Sequence, residues 1–387
     1  MIWSPDMRWT LALAALTGLL FGCKSETTFT PKDNFVELDS DHGQWLSMAV
    51  APDGTPTMSF YDVTFGGVGF AKGSVFEDQI RWSYERVDGY PDSEGLNAGD
   101  LGKFTDMAFG SDGTAWISYH TNKKGGLKVA HRVGRDWEAE MVDPGTGLSP
   151  MTGMWTSVAV DVNDQPVVVY HDHVGGTLNM AQRSDSGWTT QVIYEGKPYS
   201  GTDADGNPVE RPALVGEFAN IHIEGNTHYI TFYDAAQQEL VLLEGFGGAY
   251  VPTVVDTDGD VGQWSSISIE GDHLAIAYHD VGNQHLKLAQ RTGGGRFEVS
   301  TIDERRWVGA DTAIYRTESG IGVVYFDAKN SDVQLSKQVD STWSAESISG
   351  TENATGFFNE VVTDGAGRTW AGYYDQSAKI VVTKRLQ

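Results

Sequence analysis

The chain has 387 residues, with 27 Lys and Arg against 53 Asp and Glu, giving a formal net charge of −26. A field of that sign repels DNA, RNA and anionic lipid headgroups, which argues against a nucleic-acid partner. Its 46 Gly, 12 Trp, 15 Tyr and 16 Phe, set as short hydrophobic runs between Gly- and Asn-rich turns without helical periodicity, indicate a secreted all-β protein.

Arg8 precedes an apolar run from Trp9 to Gly22, long enough for a signal peptide and too short to span a bilayer. The run closes on Leu20-Phe21-Gly22-Cys23. This resembles the lipobox of bacterial lipoproteins, in which signal peptidase cuts before the cysteine and the new N-terminal Cys is acylated. Phe21 stands where that family usually carries a small residue. The resemblance implies a signal peptide over 1–22 and lipidation at Cys23. With Lys24 rather than Asp following, it also implies sorting to the outer membrane. Cys23 is the single cysteine, so an intrachain disulfide and a multi-cysteine metal site are excluded. Acyl chains there would anchor the protein to the membrane at about 0.8 kcal/mol per buried methylene. Residues 23–34 are polar and Pro-containing, and read as a flexible tether.

From residue 35 to 387 one phrase recurs: a glycine, an aromatic two residues on, a β stretch, a hairpin turn and a second β stretch ending in aromatics and Asp. The closing phrases are Phe60-Tyr61-Asp62, Tyr119-His120-Thr121, Tyr170-His171-Asp172, Phe232-Tyr233-Asp234, Tyr278-His279-Asp280, Tyr325-Phe326-Asp327 and Tyr373-Tyr374-Asp375. They lie about 52 residues apart, near the length of a propeller blade. The third repeat shows four strands, A to D from the centre outward, at residues 156–160, 166–170, 177–181 and 188–193. The last repeat stops after its third strand, while Phe35-Val36-Glu37-Leu38-Asp39 is a spare strand at the other end. The expected fold is therefore a seven-bladed β-propeller of four-stranded blades, closed by the strand at 35–39 and free of open sheet edges.

In that fold the starts of strand A and the ends of strand B ring one mouth. The residues expected to serve a ligand there are Tyr61, Asp106, His120, Thr121, His171, His173, Tyr233, His279, Asp311, Arg316, Glu360 and Tyr374. Asp311, Arg316, Thr121 and Glu360 are singled out because they break the repeat, and the fold does not ask for them. The repeated aspartates read instead as Asx-turn caps, and the repeated aromatics as filling between blades or as a stacking platform. His120, His171 and His279 share one position, with His173 nearby, and imidazoles converging near an axis are a zinc or copper motif. Two acidic turns, Asp256-Thr257-Asp258-Gly259-Asp260 and Asp203-Ala204-Asp205-Gly206-Asn207, alternate oxygen ligands as calcium loops do, without the distal glutamate of an EF-hand. Insertions at 196–214 and 88–101 are candidate flaps on the same mouth.

Ser111-Asp112-Gly113-Thr114-Ala115-Trp116 and Thr363-Asp364-Gly365-Ala366-Gly367-Arg368-Thr369-Trp370 look like fragments of the Asp box of sialidase-like glycosidases. That resemblance implies a glycan-acting hydrolase with three arginines, a Tyr nucleophile with a Glu, and an acid Asp. Here the arginines instead recur at the ends of strand C, as Arg132, Arg183, Arg291 and Arg385, and no triad can be assigned. Glu360 with Asp106 or Asp311 is a carboxylate pair for acid-base hydrolysis only at a suitable separation. The expected function is an outer-membrane-anchored binding or assembly module for an envelope protein or glycan. A sialidase-like hydrolase and a metal-binding envelope protein are the alternatives.

Overall fold

The computed structural model describes residues 40–386, apart from 92–94, 96–98, 123–124, 146–150, 204, 318–319, 340–341 and 351–353. The segments expected to act as signal peptide, as Cys23 anchor with its tether and as closing strand 35–39 lie outside the described residues. The described chain is all β, and apart from one two-stranded hairpin, Tyr199–Thr202 with Pro208–Arg211, it forms seven sheets that follow one another in sequence, each an antiparallel meander. Six of them have four strands; the seventh shows three, Thr355–Thr363, Thr369–Asp375 and Ile380–Arg385. The innermost strands are His42–Val50, Leu101–Phe109, Thr152–Val160, Val215–Glu224, Val261–Glu270, Val308–Thr317 and Thr355–Thr363. Each packs against the inner strands on either side, and the seventh meets the first, so the ring is a seven-bladed β-propeller.

Burial along each strand B shows where the core sits. Both faces of these strands are covered, as in Pro56–Asp62 where every residue is buried. They therefore read as continuous apolar runs rather than alternating ones. The outer strands alternate or face solvent, as in Gln79–Asp88 and Asp136–Asp143. Blade closes on blade mainly through apolar clusters such as Val167, Val169, Leu178, Met180, Ile230 and Phe232 between the third and fourth.

Three kinds of polar contact repeat around the ring. In four blades the tyrosine before the closing aromatic donates to the aspartate ending the previous blade's strand D: Tyr170 to Asp143 at 2.6 Å, Tyr278 to Asp256 at 2.7 Å, Tyr325 to Asp303 at 2.5 Å, and Tyr119 to Asp88 at 2.6 Å. The closing aromatic reaches forward instead. Tyr61 donates to Asp100 at 2.5 Å, Tyr233 to Asp260 at 2.6 Å, and Tyr374 to Asp41 at 2.5 Å, the last joining blade seven to blade one. The closing aspartates cap their own B-to-C turns, Asp234 accepting from Ala236 and Gln237 amides and Asp375 from Ser377 and Ala378 amides.

The Gly-x-aromatic motif has a backbone cause. In each inner strand two register shifts insert extra residues opposite strand B, as between His42, Gln44 and Ser47. The glycine and the aromatic take the positive φ that these bulges require, Gly216 at 92° and Phe218 at 55° in blade four. A Cβ on Gly262 would lie 2.7 Å from the Leu240 Cα of the blade before, so the glycine also permits the close approach of blades.

Candidate functional site: the axial mouth

The bulge turns one side chain per blade onto the propeller axis. Trp45, Phe104, Trp155, Phe218, Trp264 and Phe358 all have φ between 44° and 57° and remain partly exposed. Left-handed backbone costs such residues about 1–2 kcal/mol each. Their rings touch in succession. Centroids lie 5.5 Å apart for Trp45 and Phe104, 4.9 Å for Phe104 and Trp155, 5.2 Å for Trp155 and Phe218, 4.6 Å for Phe218 and Trp264, and 5.2 Å for Phe358 and Trp45. The result is an aromatic crown with one gap, filled by Asp311 at φ 55°. Asp311 Oδ2 accepts from the Phe358 amide at 2.9 Å, and its carbonyl accepts from Asn359 Nδ2 at 2.9 Å.

The closing aromatics of strand B lie one layer beneath this crown. Tyr61, His120, His171, Tyr233, His279 and Tyr374 each meet the crown ring of their own blade at 5.6–6.4 Å. All but His279 are buried. They prop the crown and bridge to the next blade, so the surface presented at the mouth is the crown itself, carried by the glycine-linked aromatics. Thr121 is also buried, and the neighbouring Asn122 links His120 Nε2 at 2.9 Å to Asp100 at 2.5 Å.

A polar ring lies two residues along from the crown. Asp106 accepts four hydrogen bonds, from Ser47 Oγ at 2.7 Å, the Met107 amide at 2.8 Å, Ser157 Oγ at 2.8 Å and the Val158 amide at 2.8 Å, tying blades one, two and three. Ser157 and Ser266 repeat the gesture, taking the Ile221 amide at 3.2 Å and the Ile314 amide at 3.1 Å. Asp106 and Glu360 are half-buried. Burial pushes the Asp106 carboxyl up against the pull of its donors. It pushes Glu360 well above the usual carboxylate range, with the charges of Asp106 and Asp311 adding to the effect. The three acids thus form one electrostatic group, with Asp311 in the crown and the other two beneath it.

Arg316 does not belong to this mouth. It ends its strand at the A-to-B hairpin, on the opposite face, where Nη2 donates to the His273 carbonyl at 3.0 Å and Nε lies 3.8 Å from Glu270. The strand C arginines pair with neighbouring blades: Arg132 with Glu85, Arg183 with Glu140, Arg291 with Glu244 through two 2.6 Å bonds, and Arg385 with Asp78. The Asp-box-like fragments cap hairpins, Asp364 holding Trp370 Nε1 at 3.0 Å and Asp112 holding the Thr114 amide at 2.8 Å.

Both acidic turns offered for calcium have protein donors on their oxygens. Asp256 takes Lys287 Nζ at 2.6 Å, Tyr278 and the Asp258 amide, and these outweigh burial to hold its carboxyl low. Asp260 takes Tyr233 and Gln238 Nε2 at 2.9 Å. Asp203 closes on the amides of Asp205 and Asn207 and on Asn207 Nδ2, as an Asx turn does. The turn sits at the tip of a hairpin, Tyr199–Thr202 with Pro208–Arg211, formed by the 196–214 insertion. The other insertion, 88–101, falls partly outside the described residues.

Two of the three repeated histidines are each tied to a blade junction. His120 Nδ1 contacts the Thr152 carbonyl at 2.8 Å, and His171 Nδ1 the Val215 carbonyl at 2.7 Å. One group does gather among the described residues: His171, His173 and Glu217, whose ligand atoms all lie within 4.8 Å of one another. Burial lowers His171 to about 4 and raises Glu217 to about 7. Sequence reasoning missed Glu217. It occupies the middle of the Gly-x-aromatic motif, where the other blades carry Gln44, Lys103, Met154, Gln263, Ala310 and Phe357.

No family model and no curated protein matches the chain. Among solved structures it is similar to a Hadza microbial sialidase, at 12% identity and TM-score 0.47, over 73% of this chain and 63% of that one. A protein of unknown function from Dyadobacter fermentans matches at 12% identity and TM-score 0.47, over 89% and 91%. The intramolecular trans-sialidase from Ruminococcus gnavus matches at 11% identity and TM-score 0.43, over 88% and 94%. Sialidases are thus among its distant structural neighbours.

Proposed function

We propose that this protein is a lipid-anchored envelope module that binds a glycan or a segment of an envelope protein on the aromatic crown. The observation that carries this reading is the crown itself. Six aromatic side chains stay partly exposed in strained backbone and present a nearly continuous ring of π surface around the axis. Such a surface suits the apolar faces of sugar rings or an inserted side chain. The acids beneath it and at Asp311 favour a neutral or cationic ligand over an anionic one. That preference and the blade-pairing roles of the strand C arginines give no support to recognition of a carboxylated sugar. The lipobox-like segment ending at Cys23 supplies the anchor in this reading.

Trp45, Trp155 and Trp264 make the crown its own reporter. Full-length protein is titrated with a neutral glycan panel and passed over crosslinked envelope extracts, while tryptophan emission is followed. A ligand that shifts emission and is lost in Trp155→Ala supports the reading. Turnover of a glycoside panel, with retention of no partner or glycan, overturns it. Labelled palmitate should enter the wild type and not Cys23→Ser; incorporation into both removes the anchor from the proposal.

A further inference from the structure

The junction of blades three and four departs from the repeat in a way the fold does not require. In blade two, the residue two beyond the closing histidine is Asn122, which bonds His120. In blade three it is His173, and the facing residue from blade four is Glu217, so a carboxylate meets two imidazoles. We propose that His171 Nε2, His173 Nδ1 and a Glu217 carboxylate oxygen form a binding site for a zinc-class divalent cation.

Three observations carry this. His171 Nδ1 lies 2.7 Å from the Val215 carbonyl, to which it can only donate. That bond places the proton on Nδ1 and leaves Nε2 with a free lone pair, the arrangement typical of a metal-ligating histidine. His171 Nε2 and His173 Nδ1 are 3.4 Å apart. Two nitrogens bound at the usual Zn–N length in a tetrahedral site stand about 3.3–3.4 Å apart, which matches the separation of this pair. Finally, Glu217 is only 4% exposed, and no described residue donates a hydrogen bond to it. A buried carboxylate without a donor is costly, and a cation satisfies it.

The set is two imidazoles and one carboxylate, the composition of three-ligand sites that leave a fourth position for water or a ligand. Solvent reaches the set at His173, its exposed member. The 196–214 insertion is rooted at the same junction. The Gly176 carbonyl accepts from the Val215 amide at 3.2 Å, and the Leu214 carbonyl from the Ala235 amide at 2.9 Å. His171 also packs on Trp155 of the crown at 5.8 Å, so a bound ion would stand beside the mouth whatever the crown binds.

The test uses the full-length chain in detergent after chelator treatment, titrated with Zn²⁺ alone by calorimetry and with Co²⁺ by visible absorption. One equivalent of each metal should bind, with cobalt bands of a four-coordinate site. His173→Ala and Glu217→Gln should each weaken binding by about a hundredfold, at or beyond the upper end of second-shell losses. His273→Ala, exposed on the opposite face, should bind as the wild type does. His173 is exposed, so its variant keeps the test open should Glu217→Gln unfold. Binding below about 0.2 equivalents of zinc, or variants that bind as tightly as the wild type, overturns the site and leaves Glu217 a buried protonated acid.

Discussion

Replacing Tyr278 by Phe deletes one oxygen from the contact that ties blade five to blade four. The hydroxyl donates to Asp256 Oδ2 at 2.7 Å, and the side chain is fully buried. Hydrogen bonds to a charged partner contribute about 1.5–3 kcal/mol. Asp256 keeps Lys287 Nζ at 2.6 Å and the Asp258 amide at 3.0 Å, so its charge is not stranded. The expected loss therefore lies at the lower end, about 1.5–2 kcal/mol. Blade seven provides a matched control. Tyr373 occupies the equivalent position, is 4% exposed, and makes no hydrogen bond to a described residue. Tyr373→Phe should change stability by no more than about 0.5 kcal/mol, as expected where no specific interaction is removed. Urea unfolding at pH 7 reads both, through a shift in midpoint at constant slope. A double-mutant cycle with Asp256→Asn should return a coupling of similar size. Equal losses for the two tyrosines, or a coupling near zero, would refute the view that these hydroxyl bridges hold blades together.

The acid cluster beneath the crown predicts a pH dependence. Glu360 has its folded-state pKa raised, by burial first, so its contribution to stability is complete below the unfolded value of 4.5 and is lost as pH rises through the folded value. Glu360→Gln should flatten that part of the curve and raise the melting temperature at pH 8; superimposable wild-type and variant profiles would count against it. Gly262→Ala adds a Cβ 2.7 Å from Leu240 Cα at φ 109°, and should cost several times the roughly 1–2 kcal/mol of left-handed strain that Gly271→Ala meets in an open turn. Comparable thermal shifts for the two would show that blades do not approach as closely as described. Arg291→Ala removes a bidentate pair whose partner Glu244 is 26% exposed, so after solvent screening the loss should be at most about 1 kcal/mol, and smaller still in 1 M salt. A loss that salt does not reduce would assign the effect to packing over Phe297, 5.0 Å from the guanidinium.

Much of the fold was legible because its causes are local. Gly43, Trp45 and their six counterparts mark a bulge that only glycine tolerates at its first position, and Asp234 or Asp375 caps a turn using amides two and three residues away. Such chemistry is written within a few residues, and its repetition counts the blades. The layering of the mouth was not legible in the same way. Trp155 and His171 both appear as aromatics near a strand end, yet the bulge lifts one to the axis and leaves the other buried beneath it. Arg316 shows a related difficulty, since its strand was identified while the end of the strand at which it stands decides the face.

Period and turn chemistry in the sequence determined seven antiparallel blades, because a blade is built from neighbours in the chain. Which residues from different blades meet was decided only by tertiary structure. Asp106 beside Ser47 and Ser157, Glu360 near Asp106 and Asp311, and Glu217 against His171 and His173 are encounters across a blade boundary. Glu217 carries no local mark of its partners. Its position in the motif admits almost any residue, and only the packing of blade four on blade three brings it to the histidines of the blade before.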